Sequence, residues 1–351
     1  VGGPLQGRHL QEGLTAVESE RQDTGAARPV SWRDTGCHAL PSLSDTGRGG
    51  QEQLMRHRKY PFIVGFLIVP VALYVLLVIW PYLQTFGYSL TDWSGASQQM
   101  NFIGLRNYST LFSDNVFVLA LEHNLLLLAV LPLATILLSL FFAFMLNVGG
   151  RGGTGGVQGV RGAGFYKVVF FFPQVLSVAI LSVLFQGVYR TDQGGLLNGV
   201  LVKLGLEQAN RPWQWLSDPN LGLWCVVGVL VWSGVGFYLV LFSAAMQSVP
   251  KDIYEAALLD GAKRGQTFFK ITLPLLWETI QTAWVYLAIA AMDCFALVST
   301  MTPGKFYGGG PDHRSEILST LLMRNFITYG KAGYACAMGV VIFFVTLILS
   351  V

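Results

Sequence analysis

The chain has 351 residues, 52% hydrophobic and only 12% charged, with a mean hydropathy of +0.50. Soluble domains carry about 25% charged residues, so this composition excludes a soluble globular protein and predicts an integral membrane one. The net charge of +3 is too small, and its basic residues too scattered, to argue for nucleic acid.

Residues 1–54 differ from all that follow. They are polar and glycine-rich, without apolar periodicity, and cannot bury enough surface to fold. Asp23-Thr24-Gly25 recurs as Asp34-Thr35-Gly36 and Asp45-Thr46-Gly47. This is the aspartic-protease triplet, but its flanks are polar where a catalytic copy needs an apolar strand, so that reading is set aside. The chain starts at Val1 and its first methionine is Met55. The expectation is that synthesis starts at Met55 and that 1–54 is translated leader; if the segment is real, it is a disordered cytoplasmic tail.

Arg56-His57-Arg58-Lys59 precedes the first apolar run, 61–83. A basic cluster there places that end in the cytoplasm, and the run is too long for a cleaved signal peptide. Further runs at 124–148, 166–188, 222–247, 275–300 and 333–351 are each near or above the roughly 20 residues a bilayer crossing needs. The expected fold is all-α, with six transmembrane helices and both termini cytoplasmic. The glycine-rich stretch 149–164 lacks the G-x-x-x-x-G-K-[ST] phosphate loop, as does the rest of the chain, so this chain is not expected to hydrolyse ATP. Cys37, Cys225, Cys294 and Cys336 show no paired spacing and predict neither disulfide nor metal site. Trp213 and Trp215 have the character of interfacial tryptophans rather than of a sugar-stacking platform.

The segment 248–274 is charged and lies between the fourth and fifth apolar runs. Helix connections usually take about 2–8 residues, so its length needs a reason. Ser248 is a candidate cap and Pro250 suits a first turn. Asp252 and Glu255 complement a helix N-terminus. Gly261 suits the left-handed residue that ends a helix. Ala256 and Ala257 offer a face for close backbone approach. Two short helices with a bend follow, a cytoplasmic element built to be gripped.

Glu255-Ala256-Ala257, three residues, Gly261, nine residues, then Ile271-Thr272-Leu273-Pro274 resembles the E-A-A loop of ABC importer permeases. Phe102-Ile103-Gly104-Leu105-Arg106-Asn107-Tyr108, followed by Leu111-Phe112, is similar to a stretch of the carbohydrate-type members. Gly194 to Asn198, Met301 to Pro311 and Gly333 to Ala337 are weaker matches, and Asn124-Leu125 stands where the family usually has Asn-Thr. In Met301 to Pro311 the residues Lys305 to Gly308 stand as an insertion, and Ala296 stands where the family often has Asp. The resemblance covers 56–351 and implies a permease domain over 55–351, with 248–274 as the cytoplasmic coupling helix. Glu255, Ala256, Ala257, Asp260, Gly261, Ile271, Leu273 and Pro274 would then meet a partner ATPase. It also implies a second permease subunit, two ATPase subunits carrying ATP and Mg, and an extracytoplasmic solute-binding lipoprotein, all at a bacterial cell membrane. No cofactor is expected on this chain.

Within the fifth apolar run, Thr279, Thr282, Tyr286 and Asp293 are spaced by three, four and seven, so they share one helix face. A carboxylate at mid-membrane costs about 2.5–3.5 kcal/mol on insertion scales and should face protein or water. This face is a candidate lining for the path of a polyhydroxylated solute; an interhelical hydrogen bond by Asp293 without a transport role is the equal alternative. The motif set points to a sugar, oligosaccharide or amino sugar, with N-acetylglucosamine or chitobiose suggested by the run of the sequence. The alternatives are a glycerol phosphate permease, which should want a cationic cavity, and a non-transporting membrane sensor or scaffold.

Overall fold

In lipid, every backbone N–H and C=O must be bonded within the segment, so apolar runs of this length fold as helices. The computed structural model describes residues 48–97, 99–148, 159–192, 194–206, 212–304 and 307–350. Among them the elements are helical, apart from one isolated antiparallel bridge between Thr91 and Phe102. The expectations for the three Asp-Thr-Gly triplets, Cys37, the glycine-rich residues 149–158 and the inserted Lys305 and Phe306 lie outside the described residues.

The chain divides into two units, Val1–Pro70 and Val71–Val351. The described part of the first is most of α1 (Arg48–Tyr74). This helix begins at Arg48, before Met55. Once a helix is nucleated, each added residue gains a hydrogen bond at little cost. Phe62 and Phe66 stack at 6.5 Å and are exposed, as lipid-facing residues are.

In the second unit a π-helical turn, Val75–Ile79, leads into α2 (Trp80–Ser89). Then follow α3 (Arg106–Ser113), α4 (Asn115–Val148), α5 (Ala163–Val175), α6 (Val178–Val188), α7 (Leu196–Lys203) and α8 (Gly222–Ser248). Four helices among the described residues are long and apolar enough to cross a membrane: Pro61–Ser89, Asn115–Val148, Gly222–Ser248 and Ala332–Leu349. Two bent pairs qualify jointly, giving up to six crossings.

Apolar length alone gave no sign that the third and fifth spans are bent. The third breaks by 97° between α5 and α6. Leu176 is extended there, and Ser177 caps α6 by accepting from the Ile180 N–H. The fifth is bent by 72° at Leu276, where α11 (Leu273–Leu275) gives way to α12 (Trp277–Met292). It stops again at Asp293 and Cys294, before α13 (Phe295–Met301). After it come α14 (Leu318–Met323) and α15 (Ala332–Ser350).

The core is built on α4 against α8. Leu127, Leu131, Leu140 and Phe144 of α4 pack with Val226, Val229 and Phe242 of α8 and with Ala283 and Leu287 of α12. Ser139 Oγ donates to the Val235 carbonyl at 3.0 Å, an interhelical bond of a kind worth about 0.6 kcal/mol. At Gly236 the α5 backbone passes so close that a Cβ would stand 1.8 Å from the Phe170 carbonyl oxygen. A second cluster, Leu111, Phe117, Met292, Leu318 and Met338, joins α3, α4, α12, α14 and α15. Fully buried Asn124 pins it: its Oδ1 accepts from the Leu318 N–H at 2.7 Å and its Nδ2 donates to the Ala291 carbonyl at 3.2 Å.

Candidate coupling segment and translocation cavity

After α8 the chain turns sharply. Ser248 does not cap the next helix; its Oγ donates back to the Ala245 carbonyl at 2.8 Å and closes α8. Pro250 is the residue before α9 (Lys251–Leu259). The end of α9 is a Schellman motif. The Gly261 N–H donates to the Leu258 carbonyl at 3.0 Å, and the Ala262 N–H to the Ala257 carbonyl at 2.9 Å. Gly261 has φ +73°, and nothing lies within 4 Å of where its Cβ would stand. Its requirement is therefore backbone conformation alone, not space.

The two alanines part company. Ala257 and Tyr254 are buried against the body of the protein, whereas Glu255, Ala256 and Asp260 are exposed. Leu259 stands out at 89% exposure, and Leu258 is 52% exposed. Glu255 makes no hydrogen bond or ion pair with any described residue. The outer face thus carries two exposed leucines and an acid without a polar partner among the described residues.

Past Gly261, the Lys263 N–H donates to Gln266 Oε1 at 2.9 Å and starts α10 (Arg264–Thr267). A π-helical turn, Phe268–Thr272, packs Phe268 on Phe144 of α4 at 4.9 Å. Ile271 and Leu273 are half-buried, Thr272 is fully buried and Pro274 is exposed. The Ile-x-Leu-Pro piece therefore anchors the segment to the core just ahead of the corner at Leu276.

A cavity of about 460 Å³ opens where the breaks in the third and fifth spans face α8. Its polar lining is Gln174 beside Pro173, Ser233 and Tyr238 of α8, Tyr286 of α12 and Asp293 at the helix break. Asp293 has φ −113° and ψ 41°, so its side chain leaves the α12 register. Its N–H still donates to the Ile289 carbonyl at 3.1 Å. Among the described residues no Lys or Arg lines the cavity. Lys167, in the second turn of α5, instead donates to Asn147 Oδ1 at 3.1 Å.

A family model described as "Binding-protein-dependent transport system inner membrane component" matches residues 125–351. The chain belongs to this family. The Streptomyces coelicolor diacetylchitobiose uptake system permease protein NgcF is 40% identical over 305 residues, covering 86% of this chain and 84% of that protein. The Streptococcus mutans multiple sugar-binding transport system permease protein MsmF is 31% identical over 286 residues, 82% of this chain and 91% of that protein. The fold matches a solved bacterial ABC transporter involved in the import of the acidic polysaccharide alginate. Its TM-score is 0.68 at 21% identity, over 85% of this chain and 96% of that one. The protein is thus a multi-pass membrane permease of the carbohydrate ABC importer type.

The permease brings together only part of the predicted solute-facing set. Tyr286 and Asp293 share the cavity; Thr279 and Thr282 do not line it. The Thr282 hydroxyl donates to the Glu278 carbonyl at 2.9 Å within its own helix. The helix break moves Asp293 off the common face that an unbroken run would give. Gln174, Ser233 and Tyr238 were missed. A glutamine next to a mid-span proline, three residues before a capping serine, was the available signal.

A buried polar cluster was missed as well. Glu316 is fully buried and Arg324 is 7% exposed, with Nη1 2.6 Å from Glu316 Oε2. Thr320 donates to Glu316 Oε1 at 2.8 Å, and His313 Nδ1 lies 2.9 Å from Oε2. Arg324 Nη2 donates to the Gly308 carbonyl at 2.6 Å, which seats the glycine loop on this pair. A Cβ at Gly309 would stand 2.3 Å from Glu316 Oε2. Nothing in the local sequence of this stretch signals an internal ion pair.

Proposed function

We propose that this permease forms the translocation path for a neutral amino sugar or short oligosaccharide, with N-acetylglucosamine and diacetylchitobiose as the first candidates. The observation that carries the choice is the 40% identity to a diacetylchitobiose permease over most of both chains. The cavity chemistry agrees with it. One carboxylate, two phenols, a carboxamide and a hydroxyl suit a polyhydroxylated amide, and the absence of a lining cation disfavours a phosphate ester.

In this reading 55–351 is the permease domain, with both termini cytoplasmic. A solute-binding protein delivers the sugar, a second permease completes the path, and two ATPase subunits hold ATP and Mg. Closure of the ATPase pair draws the coupling segments together and opens the cavity to the loaded binding protein; hydrolysis resets it. Glu255, Ala256 and Asp260, with Leu258 and Leu259, form the gripped face. Gly261 fixes its angle, Ala257 rests it on the body, and Ile271, Leu273 and Pro274 carry its motion to α12.

The test is uptake of labelled diacetylchitobiose, N-acetylglucosamine and glycerol 3-phosphate by cells lacking and regaining this gene. Regained uptake of either sugar supports the reading, and regained uptake of glycerol phosphate alone refutes it. Asp293→Asn at normal expression should cut sugar uptake about tenfold or more; unchanged uptake would remove Asp293 from the path. Affinity capture from native membrane should recover a sister permease, an ATPase and a binding lipoprotein. Capture of soluble proteins with no ATPase would favour the sensor or scaffold.

A further inference from the structure

A second polar pocket, of about 300 Å³, lies where α2 ends and α15 begins, between the Thr91–Phe102 hairpin, α3 and the Gly330 turn. It is far from the coupling segment. Asn115, next to Asp114 of the pocket, and Phe144, which touches Phe268, stand about 44 Å apart along α4. It is also separate from the central cavity, whose Leu131 is about 25 Å along from Asp114.

Two features mark it as built to hold something. Asn107 and Asn325 line it at 8% and 5% exposure. Asn107 spends both Nδ2 protons on the Ser89 and Thr91 carbonyls, and Asn325 Nδ2 donates to the Leu321 carbonyl. Neither Oδ1 has a partner among the described residues, and both oxygens keep access to open space, so each is free to accept a bond from a bound group. Second, its other groups are held in place. Tyr334 donates to Asp114 Oδ2 at 2.9 Å, and Asn101 holds Asp92 through both its side chain and its N–H. These bonds keep the Asp92 carboxyl below its ordinary pKa and hence ionised at neutral pH. The Trp93 indole is fixed by Tyr88 at 4.4 Å and by its own bond to the Ser97 carbonyl.

The ligand class follows by elimination. An anion would meet Asp92 and Asp114, and a cation would meet Lys331, whose ammonium pairs with no described residue. An apolar group would leave both asparagine carbonyls unanswered. A neutral ring bearing several hydroxyls answers all of them: it donates to the asparagine and aspartate oxygens, accepts from Lys331 and packs C–H groups on Trp93. We infer that this pocket is a second carbohydrate site that takes one neutral sugar ring at the end of the permease opposite the coupling segment. The inference rests on the sugar-permease reading and adds an entry station to it.

The test uses the full chain, with its copurifying subunits, in lipid nanodiscs. Labelled N-acetylglucosamine, diacetylchitobiose and glucose are measured by equilibrium dialysis in an Asp293→Asn background, which removes the central cavity's carboxylate. Saturable binding of at least one sugar should remain there. Adding Lys331→Ala or Trp93→Ala should weaken it about tenfold. Lys331 is exposed and makes no side-chain bond with any described residue, so its variant leaves the fold intact even where Trp93→Ala does not. No saturable binding in the Asp293→Asn background, or binding untouched by Lys331→Ala, overturns the inference. Sugar uptake by cells carrying the wild-type chain tests the importer reading separately, so intact uptake with no binding here refutes this site alone.

Discussion

The left-handed turn at Gly261 gives the most discriminating test of the coupling segment. Open space surrounds its missing side chain, so Gly261→Ala creates no clash. What it meets is the backbone cost of holding an L-residue at φ +73°, about 1–2 kcal/mol. That is roughly a 5- to 30-fold shift in the population of the native corner. The corner sets the angle between α9 and the Phe268–Thr272 turn that rests on Phe144, so the loss falls on the lever and spares the core. Gly261→Asn is the control, because asparagine visits the left-handed region with a local hydrogen bond. The assay is labelled-sugar uptake beside ATP hydrolysis in reconstituted vesicles. Gly261→Ala and, more strongly, Gly261→Val should lower the sugar moved per ATP, and Gly261→Asn should restore most of it. Equal coupling in the alanine and asparagine variants, or a loss shared by both, would refute the conformational account.

Other perturbations separate docking from folding. Leu259→Ser removes an apolar side chain whose burial against a partner is worth about 1.5–3 kcal/mol; ATPase binding should weaken roughly 10- to 100-fold with the thermal midpoint unchanged. Glu316→Gln breaks the buried pair with Arg324 and should cost about 3–5 kcal/mol, read as a lowered denaturation midpoint. The double variant Glu316→Leu with Arg324→Met should recover much of that loss, because no unpaired charge then remains buried. Gly236→Ala drives a methyl group into the Phe170 carbonyl and should cost at least about 1–3 kcal/mol by the same measurement.

The features visible in the sequence are those written in local chemistry. Gly261 and the residues around it encode a helix end that involves no distant partner, so its Schellman turn could be expected from spacing alone. Span placement was readable for a similar reason, since apolar length against bilayer thickness is a one-dimensional question. The fourth run, 222–247, differs from α8 by one residue. The Glu316–Arg324 pair was not readable. A buried charge looks like an exposed one until its partner is known, and Thr320 and Gly308 become its partners only when the loop folds back.

The helix breaks at Leu176 and Asp293 were the costliest omission, because they line the central cavity. Hydropathy reports how far a run can reach and is silent about whether it stays straight. Ser177, three residues before the Ile180 N–H that it caps, carried the local signal for the first bend, but an apolar window averages it away. Asp293 carried the signal for the interruption at its own position, since a carboxylate at membrane depth is cheaper at a helix end beside a water-accessible space than on an intact helix facing lipid. An unbroken fifth span would put Thr279, Thr282, Tyr286 and Asp293 on one stripe. The broken one keeps Tyr286 on the cavity wall, turns Asp293 into the same space and leaves the two threonines nearer the coupling end. A continuous helix presents only side chains; the breaks at Leu176 and Asp293 also bring irregular backbone beside the solute-sized space. Irregular backbone is tolerated at this depth only where protein or a water-filled cavity surrounds it. The two interruptions and the cavity are therefore one feature, and Gln174 and Asp293 owe their position to it.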